Sequence, residues 1–154
     1  MKAAPIAAVL LAASFSLLPA ARRVVVKEVG EDGTLKVSWC CGIKLAGVEL
    51  PGGRAREMRY RYFHPESVEA LRGLVEGKEV AIDRVGGGRP FGGKRYYVYV
   101  DTVFVNAFLL REGYARCVRK AGHRLAREFA DYELSAKRLR KGLWINPFSA
   151  DEGR

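Results

Sequence analysis

Hydrophobic and polar positions set out five strand-like runs. Val24-Val25-Val26-Lys27-Glu28-Val29 is β-branched and predicts a first strand. Gly30-Glu31-Asp32-Gly33 reads as a turn, and Thr34 to Cys41 alternates as a second strand. Ile43 to Glu49 predicts a third, ended by the breaker Pro51-Gly52-Gly53. Glu79 to Val85 and Tyr96 to Val100 predict the fourth and fifth. Between them lies a glycine-rich hairpin tip, Gly86-Gly87-Gly88-Arg89-Pro90-Phe91-Gly92-Gly93.

Helical spacing appears in three places. Val68, Leu71, Leu74 and Val75 recur at helical intervals after His64-Pro65-Glu66. The proline suits a first turn, and Glu66 and Glu69 complement the N-terminal dipole. Gly77 ends this helix. Before it runs a basic, tyrosine-bearing loop with Arg54, Arg56, Arg59, Tyr60, Arg61 and Tyr62. Val105 to Glu112 predicts a short helix stopped by Gly113. A longer one runs from Gly122 to Lys141, with an apolar stripe of Leu125, Phe129, Tyr132, Ala136 and Leu139. Gly142 caps it, and Leu143-Trp144 fold back onto the core. The fold class predicted is α+β, mainly β. Five strands with a helix between the third and fourth fit a five-stranded OB-type barrel with about three helices.

The chain of 154 residues has room for one domain with one core. Twenty-seven Lys and Arg against 17 Asp and Glu give a formal net charge of +10, which attracts polyanions, nucleic acid first and anionic membrane second. Cys40, Cys41 and Cys117 are odd in number and show no CxxC spacing, so a zinc site is not expected. Cys117 pairs with one of the other two or all three stay as free thiols. Residues 3–21 are apolar apart from two serines and follow Lys2, the pattern of a signal peptide or membrane anchor. Arg22 and Arg23 come directly after it, and that charge opposes export. The expected division is 1–21 as leader or anchor, 22–147 as the folded domain and 148–154 as a tail. The expected location is secreted or membrane-anchored, with cytoplasmic as the alternative.

Four segments in order resemble the staphylococcal-nuclease (thermonuclease-like) family. They are Lys44-Leu45-Ala46-Gly47-Val48-Glu49-Leu50-Pro51; Glu66 to Leu71 with Leu74-Val75-Glu76-Gly77-Lys78-Glu79-Val80; Tyr97-Val98-Tyr99-Val100-Asp101 with Val105-Asn106; and Leu109-Leu110-Arg111-Glu112-Gly113-Tyr114-Ala115 with Ala136 and Gly142-Leu143-Trp144. The resemblance implies the OB-fold barrel, and nucleases that hold calcium between carboxylates. In them a glutamate activates water and two arginines neutralise the transition state.

On that pattern most of the chemical positions change. The second aspartate of the family's Asp-Gly-Asp-Thr turn lands on Gly33, and the catalytic glutamate lands on Gly52. The strand arginine becomes Lys44, which keeps charge and loses the bidentate fork. The other metal aspartate becomes Glu49, and the hairpin arginine lands on Gly93. Glu49 with Asp32 (or Glu31) is the metal set the resemblance leaves, and Arg89, Lys94 or Arg95 replaces the hairpin arginine. Lys44, Glu49 and Arg95 are thus the catalytic candidates. Phosphate-backbone contacts fall to Lys44, Arg54, Arg56, Arg59, Arg61, Arg89, Lys94 and Arg95.

The expectation is a monomeric, thermonuclease-like domain that binds DNA or RNA with degenerate catalytic positions and no cofactor. One alternative is a divergent endonuclease that uses calcium. The other is an envelope-anchored protein-interaction module attached through residues 3–21. Blander readings stand beside these. Glu49 is a strand-end carboxylate paired with Lys44, the hairpin is a solubilising loop, and His64 and His123 are surface or capping groups. Tyr96, Tyr97 and Tyr99 alternate across a strand and supply core, whereas Tyr60 and Tyr62 are the better base-stacking candidates.

Overall fold

The computed structural model describes residues 21–38, 42–85, 95–118 and 122–145. Strand β1 (Arg22–Val29) pairs antiparallel with β2 (Leu35–Val37) on one side and with β5 (Glu79–Arg84) on the other. β5 continues antiparallel into β6 (Arg95–Val100), and β6 pairs in parallel with the two-residue β3 (Lys44–Leu45). Ile43, just before β3, then bridges back to Leu35 of β2, with N···O distances of 2.8 and 2.9 Å. That bridge brings the path β2-β1-β5-β6-β3 round to its start, a nearly closed mixed barrel of the OB type.

Val24, Val26, Val29, Leu35, Ile43, Leu45, Val80, Ile82 and Val98 fill the interior. Their alternation along β1 leaves Arg23, Val25 and Lys27 outside.

The third run is not one strand. Ala46-Gly47 turns the chain between β3 and a separate β4 (Val48–Glu49), which pairs antiparallel with β8 (Arg116–Cys117). Gly47 has φ +67, a left-handed conformation that alternation of side chains does not reveal. β8 and the short β7 (Val103–Phe104), which pairs with β6, are too brief to show a sequence period. Residues 39–41, on which the end of the expected second strand falls, lie outside the described residues.

The first helix, α1, runs Met58–Val75 and begins nearly two turns before the expected start at Pro65, which lies inside it. Phe63 explains the difference. It is buried and extends the stripe of Ser67, Val68, Leu71 and Val75 toward the N-terminus, so the arginine-rich segment is helical from Met58. α2 (Val105–Arg111) and α3 (Ala126–Arg138) pack on each other. The expected stripe on α3 stops early: Phe129 and Ala136 are buried, while Leu139 is exposed. Leu143 does fold back, fully buried in a 3₁₀ turn at Gly142–Trp144. Among the described residues no helix is long and apolar enough to cross a membrane, and residues 3–20 lie outside them.

Two buried polar side chains fasten the short strands to the helices. Asn106, at the start of α2, accepts from Val98 N at 2.9 Å and donates to Ala46 O at 2.9 Å and Tyr96 O at 3.2 Å. Glu133 of α3 accepts from Cys117 N at 3.0 Å and from Lys137 Nζ at 3.0 Å. The first holds the turn between β3 and β4. The second holds β8, the partner of β4.

Candidate functional site

β3, β4 and the turn between β1 and β2 open onto one cleft of about 690 Å³. Lys44 and Arg95 stand opposite each other in the parallel β3–β6 pairing, so two cations project from adjacent strands at its edge. Arg54 adds a third from the loop after Pro51. Glu31, Asp32 and Glu49 also line it, together with Gly33, Gly52, Gly53 and His64.

Local structure explains how the turn carboxylates reach the cleft. Asp32 folds over its own turn: Thr34 N and Thr34 Oγ1 donate to its carboxylate at 3.1 and 2.7 Å. Lys44 Nζ lies 3.1 Å from Asp32 Oδ2. The Thr34 hydroxyl, followed by Lys44, holds the Asp32 carboxyl below its ordinary value. Gly33, the next residue, has φ +75, and a Cβ there would meet Leu50 Cδ1 at 3.1 Å. The position at which the family resemblance expects a metal aspartate thus lacks a side chain and has a backbone that disfavours one.

The carboxylates are already partnered. Asp32 pairs with Lys44. Glu49 pairs across β4–β8 with Arg116 at 3.0 Å. Glu31 lies 3.0 Å from Arg72 and 3.3 Å from His64 Nε2. Calcium needs six to eight oxygens converging on one point. Here each carboxylate turns to its own cation, and among the described residues no group of three or more His, Cys, Asp or Glu side chains is placed to hold a metal ion. The donor set as arranged does not fit calcium. A side chain on Gly52, where the family resemblance expects the catalytic glutamate, would meet nothing closer than Ala55 N at 4.0 Å.

The expected binding residues divide. Lys44, Arg54 and Arg95 come together at the cleft. Arg56, Arg59 and Arg61 are exposed at and before the N-terminal end of α1, outside the cleft wall. Arg89 and Lys94 lie outside the described residues. Lys44 pairs with Asp32 and not, as the blander reading had it, with Glu49.

Two residues of the site escaped sequence reasoning. Arg116 holds Glu49 and stacks its guanidinium 4.7 Å from the centre of the Tyr60 ring, which Arg59 approaches at 5.6 Å on its own account. A charge complement opposite Glu49 was the available signal, but the two-residue strand that places it has none. His64 is a cleft residue and not a surface cap, because α1 begins earlier than its proline suggested. His123 is likewise no surface group: it is buried, bonded through Nδ1 to the Tyr97 hydroxyl at 2.9 Å and packed on Phe129. Burial holds its imidazole below the ordinary value. Cys117 is half-buried, and Cys40 and Cys41 lie outside the described residues.

No curated protein matches the chain at a significant level. The family model described as staphylococcal nuclease homologue matches residues 42–146, from the residue before Ile43 to the one after Ile145. That match takes in β3 through the last 3₁₀ turn, and with the barrel and the cleft at its open side it shows that the chain belongs to the staphylococcal nuclease homologue family.

Proposed function

We propose that the domain grips the sugar-phosphate backbone of nucleic acid in this cleft and does not hydrolyse it by a calcium-dependent route. The observation that carries the reading is the side-by-side placement of Lys44 and Arg95 at a cleft whose wall includes Gly33 and Gly52, the residues on which the family resemblance sets a metal aspartate and the catalytic glutamate. Phosphate oxygens entering there meet Lys44, Arg95 and Arg54, while the excess charge of +10 draws the polyanion toward the surface. Backbone contacts of this kind position the strand and do not read its sequence.

A salt titration of binding to single-stranded DNA and RNA tests it. Log affinity should fall linearly with log salt, by about 0.7 for each phosphate neutralised on a single strand. Lys44→Ala and Arg95→Ala should each shallow that slope. No measurable affinity at low salt removes the proposal.

One observation favours a second reading, a divergent endonuclease: Glu31, Asp32 and Glu49 share the cleft with Lys44 and Arg95. Cleavage that requires calcium, stops with chelator and is abolished by Glu49→Gln would replace the first reading with this one. Residues 3–21 are proposed to export or anchor the domain, with a cytoplasmic protein as the alternative. Membrane fractionation and the intact mass of the mature N-terminus distinguish these. An anchored domain that binds protein and no nucleic acid would support the interaction-module reading.

A further inference from the structure

We propose that His64 is a phosphate ligand of the cleft, kept covered by Glu31 until a nucleic-acid backbone displaces that carboxylate. The inference rests on the nucleic-acid reading and adds to it a residue and a displaceable cover.

Four observations carry it. His64 lines the cleft with only 15% of its side chain exposed, so its ring is part of the wall. The glycine pair opposite makes its place: a Cβ on Gly53 would lie 2.9 Å from His64 Cδ2, while one on Gly52 would meet nothing closer than Ala55 N at 4.0 Å. The ring therefore takes the room that a side chain on Gly53 would fill, beside an open position at Gly52.

Its orientation is fixed from behind. Nδ1 is 2.7 Å from Pro51 O, and a carbonyl only accepts, so Nδ1 carries a proton and donates it. Nε2 is left as the atom on offer, 3.3 Å from Glu31 Oε2.

The cover is loosely held. Glu31 is 72% exposed, and an ion pair so open to water contributes little. Arg72 is its second partner, at 3.0 Å, and Arg72 also pairs with Glu69 and Glu76. Glu31 can leave without stranding Arg72, and the incoming phosphate oxygen takes its place at the ring. A phosphate oxygen offers Nε2 the same acceptor chemistry as the carboxylate; because Nδ1 already donates to Pro51 O, Nε2 bonds either acceptor as the second N–H of the imidazolium, and Lys44 and Arg95 of the same cleft favour the phosphate.

Fluorescence anisotropy of a labelled single-stranded oligothymidylate, at low salt with chelator present, tests the inference. Glu31→Gln should tighten binding about three- to fivefold. Glu79→Gln, which removes the same charge outside the cleft, should change it much less. His64→Gln should weaken binding about tenfold, and the Glu31→Gln/His64→Gln double variant should show no gain over His64→Gln. A gain of equal size in both backgrounds overturns the proposal, since it would come from Arg72 or from net charge.

Should His64→Gln fail to fold, the wild-type protein still answers. The chain has two histidines, and on saturation with oligonucleotide the Nε2 resonance of His64 should move while that of buried His123 stays. An unmoved His64 in bound protein overturns the inference alone. Absence of binding by the wild type overturns the nucleic-acid reading as well. Inorganic phosphate, run as a competitor, should shift the same His64 resonance only at far higher concentration than the oligonucleotide.

Discussion

The polar groups inside the fold and those around the cleft are built on opposite terms. Asn106 is fully buried, and both ends of its amide are engaged, by Val98, Ala46 and Tyr96. Asp32, Lys44 and Glu49 are half or more exposed, and each has settled on a neighbour of opposite charge. An interior polar group that loses its partner leaves an unsatisfied atom, so its identity is constrained. An exposed pair contributes at most about 1 kcal/mol, so its members are exchangeable without risk to the fold. The identity of the framework's polar groups is therefore constrained by the fold, and that of the cleft's charged pairs is not.

The comparison breaks most plainly at Asn106. Asn106→Ala strands Val98 N, Ala46 O and one acceptor at Tyr96, and at about 1–3 kcal/mol for each orphaned group the expected loss is about 3–5 kcal/mol. Lys44→Ala should cost less than about 1 kcal/mol. Urea unfolding of both variants checks the contrast, and equal losses would mean that the cleft pairs also hold the fold together.

The same division decided what was legible in the sequence. β1 and the core faces of α1 and α3 were readable because their burial follows a period of two or of 3.6 residues, and β5 and β6 as short β-branched and aromatic runs buried on both faces. Gly47 was not: its backbone turns a seven-residue alternation into two strands of two residues, each with a different partner. Pro65 pointed to a helix start seven residues too late, since the burial of Phe63 outweighs one missing N–H. The cleft was legible in part. Lys44, Glu49 and Arg95 followed from the family resemblance, whereas Arg116 and His64 depended on tertiary pairing that no spacing records.

A second contrast lies within the cleft, at its two glycines. Gly33→Asp puts a side chain on a left-handed backbone against Leu50 and should cost about 1–2 kcal/mol. Gly52→Glu enters open space and should unfold with wild-type stability. If the order of these two losses is reversed, the absence of a side chain at residue 33 is a matter of composition alone and not of backbone geometry.

The buried imidazole gives a smaller, pH-dependent effect. Burial holds the folded-state value of His123 below that of the unfolded chain, near 6.5. The unfolded state therefore binds the proton first. The contribution of neutral His123 is complete above that value and is lost as pH falls below it toward the folded value. Urea midpoints should drop between about pH 7.5 and 5.5. His123→Gln, which does not titrate, should flatten the drop.

The smallest effect belongs to the exposed turn. The Thr34 hydroxyl and Lys44 hold the Asp32 carboxyl below its ordinary value, so the sign is that of a depressed acid: its contribution is present above the unfolded value near 3.9 and is lost as pH falls through the folded one. Asp32 is 61% exposed, so water screens most of that contribution. Asp32→Asn should leave stability at pH 7 within about 1 kcal/mol of wild type, with only the acid limb below about pH 5 slightly flatter. A larger loss at neutral pH would show that the turn carrying Glu31 and Asp32 is part of the framework, and that the cleft is bound to the fold at this one point as tightly as Asn106 binds its strands.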